Sequence, residues 1–179
     1  MRARAGLLTV LSLLLAWPTE GRLDRVANAF KGQVVILEKR PPTRFPNDAA
    51  FVKFLKGKRK KHLWPDKSDQ NQWTIEYMAF FREAPRDVEV KMKIFDSTEG
   101  RRFVEGDSVY LAERGQRILS SSLVLKKPPF KVNRQYTIFL LNSRNVVLAS
   151  TVFWLRGKGE VYSGKVTFTD EDTKAKDED

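Results

Sequence analysis

From residue 72 onward the chain alternates apolar and polar positions with a period of two. Trp73, Ile75, Tyr77, Ala79 and Phe81 share one side of a first run, and Val88, Val90, Met92 and Ile94 alternate with Glu89, Lys91 and Lys93 in a second. Successive side chains leave a strand on opposite faces, so this period predicts half-buried β-strands. Residues 83–87, with Pro85, turn the chain between these two strands, and residues 96–100 turn it again. Residues 109–111 predict a short strand and residues 118–125 a longer one that stops at Pro128-Pro129. Residues 136–140 alternate once more, residues 142–145 reverse the chain, and residues 146–155 run back. A tight turn at Gly157-Lys158-Gly159 then leads to a last expected strand, with Tyr162, Gly164, Val166 and Phe168 on one face.

Earlier in the chain, residues 33–38 predict a strand closed by Pro41-Pro42. One short helix is expected near residues 48–56. Asn47 or Asp48 can cap it, Phe51, Phe54 and Leu55 give it an apolar stripe, and Gly57 can end it. Seven to eight short strands, with no helix between them from residue 72 onward, predict a mainly β fold, an antiparallel β-sandwich, because parallel neighbours joined in sequence need crossover helices. The expected organisation is a leader at residues 1–21 and a lead-in at 22–31. A β domain follows at 32–169, with the helix and a basic loop at 47–71. A disordered acidic tail closes the chain at 170–179.

The N-terminus adds a compartment. Arg2 and Arg4 precede an uncharged apolar run over residues 7–17; Pro18 breaks it, and Thr19-Glu20-Gly21 places small residues at the positions a signal peptidase reads. This pattern predicts a Sec-type signal peptide and a periplasmic or secreted product. An apolar run of that length is too short to cross about 30 Å of hydrocarbon. The chain has no cysteine, so no lipobox follows the run and the product is not expected to be a lipoprotein. No disulfide and no Asn-x-Ser/Thr sequon point to a bacterial rather than an animal exported protein.

Residues 130–153 resemble the closing hairpin of immunoglobulin-like and fibronectin-type sandwiches. A proline turn precedes Tyr136-Thr137-Ile138-Phe139-Leu140, and a polar turn leads to Val147-Leu148-Ala149 and Phe153. The resemblance implies that Tyr136 is a tyrosine corner, bonding back to upstream backbone, and that Trp73 stands in for the buried core tryptophan. It covers roughly residues 70–168. Ile138 occupies the position of the second core cysteine, and a helix and a basic segment interrupt the early strands. The resemblance is one of fold and carries no function.

Charge changes the picture of partners. The net charge is +11, and removing Arg2, Arg4 and Glu20 with the leader lowers it by only one. The densest basic run is Lys53, Lys56, Lys58, Arg59, Lys60 and Lys61, followed by His62-Leu63-Trp64. These cations and Trp64 form the candidate anion-binding segment, for lipid headgroups or acidic polysaccharide; export argues against nucleic acid as its partner. The acidic tail could mask it electrostatically. No catalytic or metal-ligating set is expected, and no cofactor. His62 is the single histidine, so a triad or a histidine-based zinc site lacks a second member. Residues 66–71 carry Asp66 and Asp69 three apart around a lysine, a polar loop rather than a calcium loop. Ser120-Ser121-Ser122 has no adjacent base. An enzyme would need carboxylates such as Asp66, Asp69 and Glu76 to converge in a pocket. The leading expectation is a non-enzymatic module of the cell envelope that contacts a protein partner through edge strands and loops.

Overall fold

The computed structural model describes residues 20–158. The leader at 1–21 falls almost wholly outside the described residues, and the expected strand at 162–168 and the acidic tail fall outside them entirely. In chain order the elements are α1 (Glu20–Ala29), β1 (Gln33–Leu37), α2 (Asp48–Lys58), β2 (His62–Leu63), β3 (Gln72–Phe80), β4 (Glu89–Asp96), β5 (Arg102–Tyr110), β6 (Ile118–Lys126), β7 (Arg134–Leu141) and β8 (Val147–Leu155). The protein is mainly β, as the period of two predicts. The lead-in, however, is helical: α1 buries Val26 and Ala27, and Phe30 just after it is buried too.

The strands form one curled, mixed sheet in the order β5-β4-β7-β8-β1-β3-β6, with β2 beside β8. Most ladders are antiparallel, but β1 and β2 both run parallel to β8. This corrects the expectation of an all-antiparallel arrangement. A parallel pair needs a crossover, but not one made between consecutive strands. Here nearly the whole chain separates β1 from β8 and makes the crossover itself. The β1–β8 ladder is a single register pair, Gln33 with Ser150, with Gly32 accepting from the Ser150 amide at 3.1 Å. The sheet is therefore nearly divided there, into a half made of β1, β3 and β6 and a half made of β5, β4, β7, β8 and β2.

The main core lies on the inner face, between the two halves. Trp73, Ile75 and Tyr77 of β3 join Val90, Met92 and Ile94 of β4, Tyr136, Ile138 and Leu140 of β7, and Phe153 and Leu155 of β8 in one buried cluster. Trp73 is fully buried and donates its indole N–H to the Arg156 carbonyl at 3.1 Å, tying the start of β3 to the end of β8. The buried Tyr136 hydroxyl accepts from the Lys131 amide at 2.8 Å and faces the Lys131 carbonyl at 3.3 Å. Burial pushes this hydroxyl, and that of Tyr77, above the usual phenol range.

A second, smaller cluster covers the outer face of β1 and β3. Val35, Leu37, Met78 and Phe80 meet Val26 and Phe30 from the α1 segment and Leu55 from α2. Asn47 caps α2 as expected, accepting from the Ala50 amide at 2.8 Å. Gly57 lies inside the last turn instead of ending it. The chain leaves the helix at Arg59, and the Lys60 amide then donates to Ile36 of β1 at 2.8 Å. The remaining outer face, over β8, β7, β4 and β5, has no helix on it among the described residues.

Candidate functional site

The basic run is brought to the margin between the helix-covered and bare parts of the outer face. Lys53, Lys56 and Lys58 lie on the exposed side of α2, and Arg59, Lys60 and Lys61 follow in extended chain. All six are exposed. Lys60 pairs with Glu38 at 3.2 Å; the other five have no carboxylate within ion-pair distance among the described residues. The Trp154 amide donates to the Lys61 carbonyl at 2.7 Å, and the Arg156 amide to Leu63 at 2.7 Å, so β2 lies against the end of β8. Leu63 points into the main core, and its neighbours His62 and Trp64 are exposed. Trp64 is 68% exposed.

The bare outer face continues from this margin, and sequence reasoning missed it. Arg156 stacks on the Trp154 indole with its guanidinium carbon 4.7 Å from the ring centre, and its Nε donates to His62 Nδ1 at 3.2 Å. Across the sheet, Phe95 of β4 meets Phe103 of β5 and Phe139 of β7 edge-to-face, both at 5.7 Å between ring centres. The Arg101 guanidinium caps this cluster at 4.5 Å from the Phe95 ring and 4.4 Å from the Phe139 ring. Phe103 is 56% exposed and Val152 42%. Both stand in the register row that joins Phe103, Phe95, Thr137 and Val152. Lys91 and Lys93 project from the same side of β4, because their neighbours Val90, Met92 and Ile94 point inward. A shallow depression of about 420 Å³ between β4 and β5 is lined by Lys91, Lys93, Phe103 and Asp107 among others.

The 97–101 turn that carries Arg101 is braced by Asp96. Its carboxylate accepts from the Thr98 amide at 3.0 Å and from Arg134 Nη1 at 3.4 Å, and Arg134 also reaches Glu99 at 3.8 Å. Burial alone would raise the Asp96 carboxyl, but bonds from Thr98 and Arg134 outweigh it and hold the group below its ordinary value. A carboxyl lowered on folding stabilises the folded chain above its unfolded value, and that stabilisation is lost as pH falls through the folded one. Asp96→Asn is therefore expected to lower stability by about 1–3 kcal/mol at pH 7, with the gap to wild type shrinking below about pH 4. Urea denaturation at pH 7 and pH 3 measures this; an equal gap at both would refute it.

Of the three carboxylates named for an enzyme, Glu76 stands in β3 opposite Ser122, and Asp66 and Asp69 serve a loop. Asp66 accepts from the Thr74 amide at 3.0 Å and hydroxyl at 2.6 Å, and Asp69 from the Asn71 amide at 2.8 Å, which closes the 66–71 loop onto β3. Among the described residues no three histidines or carboxylates are placed to hold a metal ion. No described helix is long and apolar enough to cross a membrane. The tail that could mask the basic run lies outside the described residues.

Among the described residues the sheet ends at β5 and β6, and these two edges differ. β5 carries Arg102, Glu105 and Asp107 and is bulged opposite the Ile94–Phe95 step, devices that discourage strand addition. β6 spans nine residues, Ile-Leu-Ser-Ser-Ser-Leu-Val-Leu-Lys, with no bulge against β3, no proline and only Lys126 charged. The Phe81 amide bonds Arg117 and the Lys127 amide bonds Asn71. In an antiparallel ladder such pairs recur at every second residue. The odd-numbered amides of β6 thus face β3, and those of Ser120, Ser122 and Val124 face outward, without a strand beyond them among the described residues. No family model matches this chain, and no curated protein matches it.

Proposed function

We propose that this chain is an exported, non-enzymatic binding module of the bacterial cell envelope, an immunoglobulin-like sandwich that takes a protein partner on the free edge of β6. The observation that carries the reading is that edge: nine residues with outward amides at Ser120, Ser122 and Val124 and none of the protection found on β5. A partner strand laid there gains main-chain hydrogen bonds. The sandwich reading is supported by the near-division of the sheet at the single β1–β8 pair and by the bond from the Tyr136 hydroxyl to Lys131 backbone, the tyrosine-corner arrangement. Export rests on the leader pattern of residues 1–21.

The test is capture from envelope extract at about 50 and 300 mM salt, by wild type and by Ser122→Pro. Proline removes one outward amide and leaves the bonds to β3 in place, as edge strands tolerate. One protein retained by wild type at both salts, and held at least tenfold less by Ser122→Pro with an unchanged circular dichroism spectrum, is expected. Equal retention by both, or none by either, overturns the reading. Anion binding through residues 53–61 is a second reading, favoured by the five exposed cations there that have no carboxylate partner among the described residues.

A further inference from the structure

The bare outer face combines features that the basic run lacks alone. It is the outside of a curl, so it offers a broad surface, with a shallow depression beside β5. Two exposed apolar side chains stand in one register row across it, Phe103 at 56% on the edge strand β5 and Val152 at 42% on β8, with Trp154 two residues on from Val152. Its arginines are held in advance: Arg101 lies across Phe95 and Phe139, and Arg156 across Trp154. A guanidinium stacked through its flat face keeps its N–H edge for a phosphate or carboxylate, with little rotamer freedom left to lose. Neither arginine has a carboxylate within ion-pair distance among the described residues; Asp96 and Glu99 are turned to Arg134. The two stations are separated along β7 by the four residues from Phe139 to Gln135, the partner of Trp154, or about 13 Å. Lys60, Lys61 and Trp64 extend the same chemistry at the β2 margin.

We infer that this face docks peripherally on an anionic phospholipid bilayer, with Phe103 and Val152 entering the headgroup–acyl boundary and Arg101 and Arg156 meeting lipid phosphates. Aromatic rings level with cations, on a surface that bulges outward, match an interface that is apolar inside and anionic at its rim. The inference rests on the anion-binding reading and widens it from residues 53–61 to the sheet. It does not depend on the β6 edge.

The test compares three probes for the exported chain: vesicles of phosphatidylglycerol and phosphatidylethanolamine, vesicles of phosphatidylcholine, and soluble dextran sulfate. Sedimentation at about 50 mM salt is expected to show at least tenfold stronger binding to the phosphatidylglycerol vesicles than to phosphatidylcholine, with a blue shift of tryptophan emission. Phe103→Ser with Val152→Ser, used only with an unchanged circular dichroism spectrum because Phe103 also packs on Phe95, is expected to lower vesicle binding at least tenfold and to leave dextran sulfate binding unchanged. Arg101→Ala is expected to weaken both. Binding to dextran sulfate without binding to vesicles overturns the membrane inference and spares anion binding. Vesicle binding that ignores the Phe103 and Val152 substitutions also overturns it. Binding to neither polyanion nor vesicle removes both.

Discussion

Trp73→Ala is expected to destabilise the protein by about 3–5 kcal/mol, the largest loss of any single truncation. The side chain is fully buried in the cluster shared by both halves of the sheet, so its removal leaves a void that neither half can close alone. It also strands the Arg156 carbonyl, whose indole donor sits at 3.1 Å. Against a total stability of about 5–15 kcal/mol for a domain of this size, that loss removes about a fifth or more. Trp73→Phe keeps most of the volume but not the donor and is expected to fall between the two. Urea denaturation of the three proteins decides the matter. A loss below about 1 kcal/mol for the alanine variant would mean that the two halves do not depend on a common core.

Much of this core was legible because its strands are amphipathic. In β4 the inward Val90, Met92 and Ile94 and outward Lys91 and Lys93 alternate without a fault, and β3, β6, β7 and β8 begin and end within two residues of the expected limits. β5 was reduced to residues 109–111 because a strand at a free edge, exposed along most of its length and bulged, carries no clean period. The α1 helix was overlooked although Leu23, Val26, Ala27 and Phe30 have helical spacing, since the segment stands directly behind an expected cleavage point. The parallel pairing of β1 and β2 with β8 could not be read at all, as it depends on which distant strands meet. The same limit hid the outer face. Its residues come from β4, the 97–101 turn, β5, β7 and β8, and only the register assembles Phe95, Phe103 and Phe139 under Arg101. One local hint existed: Phe95 falls in step with Lys91 and Lys93, an aromatic side chain where the pattern calls for a polar one. The basic run, by contrast, was visible because it is contiguous.

The helical part of that run, from Lys53 to Lys58, owes its position to a single buried side chain. Leu55 is the one fully buried residue of α2, and it fits against Val35, Leu37, Met78 and Phe80 on the outer face of β1 and β3. Phe51, Val52 and Phe54 are only partly buried around it. Leu55→Ala is therefore expected to cost about 2–5 kcal/mol, and the loss should be uneven. The α2 amides are expected to exchange with solvent faster than those of β4, β7 and β8, because the helix can lift from the sheet without opening the main core. Hydrogen exchange read element by element, beside urea denaturation, tests both parts. Uniform acceleration would show that α2 and the main core open as one unit. If α2 alone loosens, the variant separates the contributions of the two basic surfaces: the Lys53, Lys56 and Lys58 positions lose their fixed place, while Arg101 stays stacked on Phe95 and Phe139. Vesicle binding that survives Leu55→Ala then belongs to the outer face of the sheet, and binding that disappears with it belongs to the helix.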